Sequence, residues 1–326
     1  MRGETIIPAP FLWRNKANTY MNNARKFTLT TLFSALLLCG LAGCDRQSKE
    51  PTTAASSLSE DQKETQTISY YVEIGNQLNN ITGLEYAASN YIRQNIDKGD
   101  GKGSYSLTIV PVNYNYIMEQ YANAEGLNYQ GNPELTQAAA DLKKKLEVLH
   151  NEQQQLGQYY ETAEYKMDNL AKGKSADARI KDELEQALQS YADFQTKLSV
   201  VYHQNQDKQL EAMKKNGQMY AYHQLKSLNL AEELVSLIQS EADLQDKNKV
   251  AHADAIAKEI QDNLASLQKL IDQDPNANKP GVPKNSVISY LYSELKYYRE
   301  FKDSKDPSDH RFMIDGYNDA VNSYNN

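Results

Sequence analysis

Leu135, Leu142, Leu149, Leu156, Ala163 and Leu170 recur at every seventh position, and Ala139, Leu146, Gln153, Tyr160 and Met167 stand four places beyond the first five. An apolar seam kept over about five heptads is satisfied by an α-helix that lays one stripe against another helix. The pattern predicts a helix from about Pro133 to Ala171, about 58 Å long at the α-helical rise. Pro133 suits a first helical turn, and Gly173 suits the position just past the end. A second seam follows, with Ile180, Ala187, Phe194 and Val201 paired with Leu184, Tyr191 and Leu198. The connection from Lys172 to Ser175 is short, so the two helices should be antiparallel neighbours. That hairpin should bury Leu142, Leu146, Leu149, Leu184, Tyr191 and Leu198.

The rest of the chain reads the same way. Tyr71, Ile74, Leu78, Ile81, Leu84, Ala88 and Ile92 repeat at three and four, which predicts one helix from Thr67 to Ile96. The Gly99–Gly103 run ends it, and Ser104 to Val112 alternates weakly enough for one short strand. Tyr114 to Ala124 is a short helix, and Gly126 to Pro133 a loop. The second seam helix should run to Lys215 and be interrupted at Asn216-Gly217. Helices are expected over Tyr220–Glu241, with Leu228, Leu234, Val235 and Ile238 inward, and over Val250–Asp272, with Ile256, Ile260, Leu264, Leu267 and Ile271 inward. A proline-bearing loop from Asp274 to Lys284 precedes helices at Ser286–Phe301 and Asp309–Tyr324. The expected fold class is all-α: an elongated antiparallel helical bundle with long heptad-patterned helices and at most one short strand pair.

The N-terminus carries a different message. Arg25 and Lys26 precede the apolar run Phe27 to Leu38, which is shorter than the roughly 20 residues a membrane span needs. It suits a secretory signal that ends at a small-residue cleavage site. The run closes on Leu41-Ala42-Gly43-Cys44, which resembles the lipobox of bacterial lipoproteins at all four positions. The resemblance implies cleavage before Cys44, transfer of diacylglycerol to its thiol and acylation of the new amine, with a fatty acid such as palmitate. Several acyl chains anchor stably where one is marginal. Residues 1–20 precede Met21, which begins a compact signal peptide by itself, so an upstream start is expected to be misassigned. Asp45 to Gln66 is rich in Ser, Thr, Gln, Lys and Glu, and such a segment cannot bury enough surface to order itself. It reads as a tether of roughly 25 Å flexible reach. The expected organisation is therefore 1–43 extension and signal peptide, 44–66 lipidated cysteine and disordered linker, and 67–326 helical domain. The expected location is the cell envelope, lipid-anchored and facing the periplasm. Asp45 favours the inner membrane and Arg46 weakens that signal, so both membranes stay open.

Charge and cysteine count narrow the function. The chain carries a net charge of -8; losing Arg2, Arg14, Lys16, Arg25 and Lys26 with Glu4 leaves -12. An acidic body repels phosphate backbones, which argues against a nucleic-acid partner. Cys39 and Cys44 are the chain's two cysteines. Once the first is cleaved off and the second acylated, no disulfide and no cysteine nucleophile or metal ligand is left. A core must then supply the stability.

The order of elements resembles the YiiG-type bacterial lipoproteins, a family whose domain has no assigned function. The likeness rests on the lipobox with its polar linker, on Asn216-Gly217 followed by Tyr222-His223, and on the terminal Tyr317-Asn318-x-x-Val321-x-x-Tyr324-Asn325. It implies an all-helical periplasmic domain and brings no catalytic residues with it. The linker here is shorter and poorer in proline than that family's.

Glu147 and His150 have the Glu-x-x-His spacing of di-iron bundles, but such sites need a second pair and two further glutamates. His203, His223, His252 and His310 supply no second pair. A calcium loop counted from Asp97 through Asp100 and Gly101 would place Gly99, Gly101 and Thr108 where ligands belong, so a glycine-rich turn is expected. Glu232-Glu233 reads as a solvated helix face. No nucleophile elbow or metalloprotease motif occurs. No cofactor and no metal are expected. Tyrosine is the unusual feature, at 23 against 6 Phe and 1 Trp. In the pairs Tyr70-Tyr71, Tyr159-Tyr160 and Tyr297-Tyr298, adjacent side chains point about 100° apart, so one ring of each should be core and the other rim. Tyr290, Tyr297, Tyr317, Asn318, Tyr324 and Asn325 lie at sevenfold spacing on the last two helices and form a possible binding face, unless they complete the core. The function expected is a membrane-anchored binding or structural module held by acylated Cys44 in membrane lipid, with an envelope protein or glycan partner. The alternative is an envelope hydrolase whose site is assembled from scattered residues.

Overall fold

The computed structural model describes residues 58–273 and 285–325. The signal-peptide and lipobox readings and the loop 274–284 fall outside the described residues. What is described is all-α, with no strand among the described residues. It divides into two compact units, through Tyr202 and from His203 onward.

The first unit begins with α1 (Glu60–Asn79). Ser59 Oγ accepts the Gln62 N–H and Gln62 Oε1 accepts the Ser59 N–H, a reciprocal cap that fixes the start. The helix thus opens inside the stretch whose composition reads as linker, because a cap outweighs polar composition over one turn. The single helix expected over 67–96 is two: α1 and α2 (Leu84–Arg93). Asn80 Oδ1 accepts the Thr82 N–H and turns the chain. A Cβ at Gly83 would lie 2.1 Å from the Leu78 carbonyl oxygen, so this close turn needs glycine. Ile81, expected inward, sits at the tip and is 90% exposed. α3 (Tyr114–Gly126) packs against α1.

α4 (Pro133–Glu161) and α5 (Ala171–Lys215) are the seam helices. Lys197 pairs with Glu134 at 2.7 Å, Lys145 with Gln186 at 2.6 Å and Arg179 with Glu152 at 2.6 Å. Each step up one helix is a step down the other, which is an antiparallel register. Leu142, Leu146, Leu149, Leu184, Tyr191 and Leu198 are all buried, as the heptads require. The connection differs from expectation. It spans Thr162–Leu170 rather than Lys172–Ser175, and Gly173 lies inside α5. Ala163, Asn169 and Leu170 take positive φ of 57°, 54° and 66°. Asp168 accepts the Ala171 and Lys172 N–H groups and so caps α5. Heptad spacing runs on through this turn although the helix does not, and Met167, assigned to the seam, is 86% exposed.

The second unit takes in the end of α5, a turn at Gly217 (φ 70°), α6 (Met219–Leu237), α7 (Lys247–Gln273), α8 (Asn285–Ser304) and α9 (Pro307–Asn325). α6 packs on α7 and α8 on α9, and the inward residues expected on α6 and α7 form the core with Leu291, Leu295, Tyr298, Met313 and Tyr317. A Cβ on Gly316 would meet the Glu294 backbone nitrogen at 2.9 Å, so α8 and α9 cross closely there.

Candidate functional site

The segment 104–112 has the alternation of a strand but no partner strand. Side chains satisfy part of its backbone instead. Tyr105 N–H donates to Tyr165 Oη at 3.4 Å, and Ser106 N–H donates to Gln94 Oε1 at 2.7 Å. Ile109 and Val110 N–H groups both donate to Gln153 Oε1, at 3.0 and 3.4 Å. Gln153 occupies a seam position on α4, which explains a polar residue in an apolar repeat: it holds this segment along the helix.

Between the segment and α4 lies a cleft of about 510 Å³, lined by Tyr105, Ser106, Leu107, Thr108, His150, Gln153, Gln154, Gly157, Gln158, Tyr160 and Glu161. That size falls within the usual span of small-ligand sites, about 300–1,000 Å³. His150, Gln153, Gln154, Gly157, Tyr160 and Glu161 come from one face of α4, because residues three, four and seven apart share a face. No lysine or arginine is among the residues that line it, and Glu161 is its one carboxylate.

Two atoms of the lining residues are buried without a hydrogen-bond partner, Tyr160 Oη and His150 Nδ1; the Tyr160 hydroxyl lies against Gly173 of α5, where a Cβ would meet it at 2.6 Å. The His150 ring stacks on Tyr114 at 4.1 Å and 9°, and its Nε2 lies 2.9 Å from Gln154 Nε2. Tyr160 is 5% exposed. Its ring belongs to a cluster in which Tyr159 meets it edge-on at 5.1 Å and Tyr165 lies 6.0 Å away, with Tyr105 5.4 Å from Tyr165. Burial, and then the neighbouring Tyr159 and Asp177, pushes the Tyr160 phenol well above its ordinary range. It therefore stays protonated and able to donate. Tyr91 on α2 and Asp177 on α5 are buried neighbours in the same region, and Asp177 Oδ2 accepts from Lys181 at 2.6 Å. Gly157 sits mid-helix, and a Cβ there would meet nothing within 4 Å. Glycine in a helix interior costs about 0.5–1 kcal/mol relative to alanine. Packing does not demand it here.

The residues singled out from sequence are dispersed. Tyr159 and Tyr160 are both buried, not one core and one rim, because Tyr165 and the turn after α4 close over the second ring. Tyr159 Oη donates to Asp168 at 2.8 Å. Tyr71 and Tyr298 are buried while Tyr70 and Tyr297 are half-buried, as adjacency requires. Of the possible terminal face, Tyr317 is 4% exposed in the core, Tyr324 and Tyr297 pack against that core, Asn318 is half-buried and Tyr290 is 37% exposed. The Asn325 side chain lies outside the described residues. The sevenfold spacing on α9 thus marks a packing stripe. Glu232, expected on a solvated face, is buried, and desolvation raises its carboxyl to about 7; Glu233 is exposed. Glu294 is 0% exposed, neither oxygen has a partner, and burial holds its carboxyl well above the usual range. His223 Nδ1 lies 2.9 Å from Asn263 Oδ1, His310 Nε2–H donates to the Ile238 carbonyl at 3.0 Å, and His252 lies 3.4 Å from Glu233. Asp97 takes Lys181 at 3.5 Å, and Gly101 (φ 75°) turns the loop that begins there. No group of three His, Cys, Asp or Glu able to hold a metal occurs among the described residues.

Cys44, Leu41, Ala42 and Gly43 lie outside the described residues, and no described helix is long and apolar enough to cross a membrane. Residues 62–326 match the family described as "Protein of unknown function (DUF3829)". No curated protein and no solved structure matches the chain.

Proposed function

This chain belongs to the DUF3829 family, and we propose that it is a lipid-anchored envelope protein that binds an uncharged glycan in the cleft of its first unit. The reading takes the lipobox at Cys44 and the YiiG-type likeness as the means of anchoring, with the residues before Glu60 as the tether. The observation that carries the binding role is the cleft's chemistry. Amides, phenols, hydroxyls and an imidazole can each both donate and accept, which is what a sugar hydroxyl asks of its partners. Aromatic rings give the apolar faces of a sugar something to lie against. The cleft lining lacks a cation, and the whole chain is acidic, so a phosphate-bearing or otherwise anionic ligand is disfavoured.

Two measurements test the parts separately. Metabolic labelling with a fatty acid should mark the wild-type chain and not Cys44→Ser; label persisting on the variant removes the anchor. Calorimetric titration of the full-length chain in detergent with neutral oligosaccharides and with a sulfated polysaccharide should show binding of the neutral series alone. Binding confined to the polyanion would overturn the glycan assignment.

A further inference from the structure

Two stretches of the chain, 74–84 and 103–118, contain no Asp, Glu, Lys or Arg, in a sequence that is 24% charged. The fold of the first unit sets their ends side by side. Val112 N–H donates to the Thr82 carbonyl at 3.2 Å, Asn113 Nδ2 donates to Gln77 Oε1 at 2.7 Å, and α3 packs on α1. Ile81, Val112 and Tyr116 project from this uncharged surface, 90%, 64% and 42% exposed. Their chain neighbours Asn80, Thr82, Asn113 and Asn115 are exposed or half-buried amides and a hydroxyl. Glu73 and Glu119 flank Tyr116 at the rim. Resting on the lipid anchor proposed above, we propose that this patch docks on the bilayer that holds the acylated Cys44, with Ile81 and Val112 entering the acyl boundary and Tyr116 at the headgroups.

Size, charge and reach select lipid as the occupant. A stable protein interface takes about 20–30 residues a side. Three apolar side chains on two turns fall short of that. A bilayer takes up apolar side chains singly, because the gain scales with apolar area and needs no matching surface. The chain as a whole is acidic and is repelled by anionic headgroups, whereas a surface built from two charge-free stretches is not. Tyrosine suits the headgroup level, with its ring toward the acyl chains and its hydroxyl in water. Fifteen residues lead from Cys44 to Ser59, the cap of α1, and they span at most about 50 Å. α1 itself is about 30 Å long, so the turn that follows it can return to the same bilayer. Held within that distance, the patch meets lipid at an effective concentration on the order of millimolar, which populates a contact too weak to retain a free protein.

The test uses tryptophan as a depth reporter. The chain's one tryptophan, Trp13, leaves with the first 43 residues under the anchor reading, so Ile81→Trp places a single fluorophore in the patch. Val200→Trp is the control. Leu198 lies 3.7 Å from the Cβ position of Gly75 on α1, and Val200, 53% exposed, stands about 200° further round α5. Both acylated chains are reconstituted, at high dilution, in phosphatidylethanolamine and phosphatidylglycerol vesicles containing acyl-brominated lipid. Ile81→Trp emission should move to the blue and be quenched about 3-fold more than that of Val200→Trp, as insertion of apolar area requires. Adding Val112→Asp to Ile81→Trp should about halve that quenching and leave the thermal midpoint unchanged, since Val112 is exposed. If the wild-type chain carries no acyl group or does not float with the vesicles, the anchor itself falls. If it floats but the two fluorophores are quenched alike, or Val112→Asp changes nothing, the docking proposal falls alone. A blue shift of Ile81→Trp without quenching, growing with the protein-to-lipid ratio, assigns the patch to a second copy of the chain and overturns the lipid proposal.

Discussion

Two carboxyl groups in the second unit show how much a single residue can set. Glu232 and Glu294 are buried, and desolvation raises both above the ordinary glutamate value, Glu232 to about 7. A raised folded-state pKa means that the folded protein holds its proton more tightly than the unfolded chain. Their contribution is fully present below about pH 4.5 and is lost as pH rises through the folded value. For Glu232 the loss falls between about pH 4.5 and 7 and is on the order of 3 kcal/mol; for Glu294 it extends further up. The thermal midpoint should therefore fall from pH 5 to pH 8. Glu294→Gln should raise it at pH 8, and Glu232→Gln should flatten the lower part of the slope. A midpoint that rises steadily across this range in both variants and wild type would contradict the assignment. Neither group was legible in sequence. Glu232-Glu233 looks like a solvated pair, and Glu294 like any polar position, because burial depends on which neighbour covers a face.

At the scale of elements, α4 carries both packing and the cleft. Leu149 is 0% exposed on the hairpin seam, and Leu149→Ala should cost roughly 2–5 kcal/mol in denaturant unfolding, the range for a buried leucine truncation. Gly157 is the opposite case. A methyl there meets no atom within 4 Å, so Gly157→Ala should stabilise the protein by about 0.5–1 kcal/mol. A destabilised Gly157→Ala would show that the glycine serves packing after all. Asp168 caps α5 through two backbone N–H groups and accepts Tyr159 Oη as well. Asp168→Ala should lower the thermal midpoint by removing that cap. Melting curves of the two variants against wild type then read an open helix face and a cap. The seams and the interruption at Asn216-Gly217 could be read ahead because each is written within a few residues, whereas the caps at Ser59 and Asp168 were not foreseen and Gly173, expected past a helix end, lies inside α5. The turn at 162–170 could not, since apolar spacing persists through it while the backbone leaves the helix.

For the whole molecule, the relevant quantities are helix content and charge. Circular dichroism should be dominated by helix; a strand-dominated spectrum would overturn the fold. The chain's net charge is -8, and its cleft lining includes one carboxylate. Glycan binding should therefore change by less than about 2-fold between low and high salt, because no counterions are released from an uncharged ligand. A steep salt dependence would mean that a charged ligand is the true occupant. The two units, through Tyr202 and from His203, were not separable by eye in the sequence. The helix α5 runs unbroken through the boundary, so no linker marks it.

The sequence by itself determined most of the helices, the antiparallel seam pair and the identity of most core leucines and isoleucines, since periodicity acts over one or two turns. It also supplied the lipobox-like run Leu41-Ala42-Gly43-Cys44, a local pattern. Only the tertiary structure decided which tyrosines are buried. Tyr159, Tyr160 and Tyr165 meet because a turn folds back over the end of α4, and Tyr105 joins them from 60 residues before Tyr165. The cleft arises in the same way. Its lining comes from a segment without regular structure and from one helix face, and a contact between distant parts of the chain leaves no period in either.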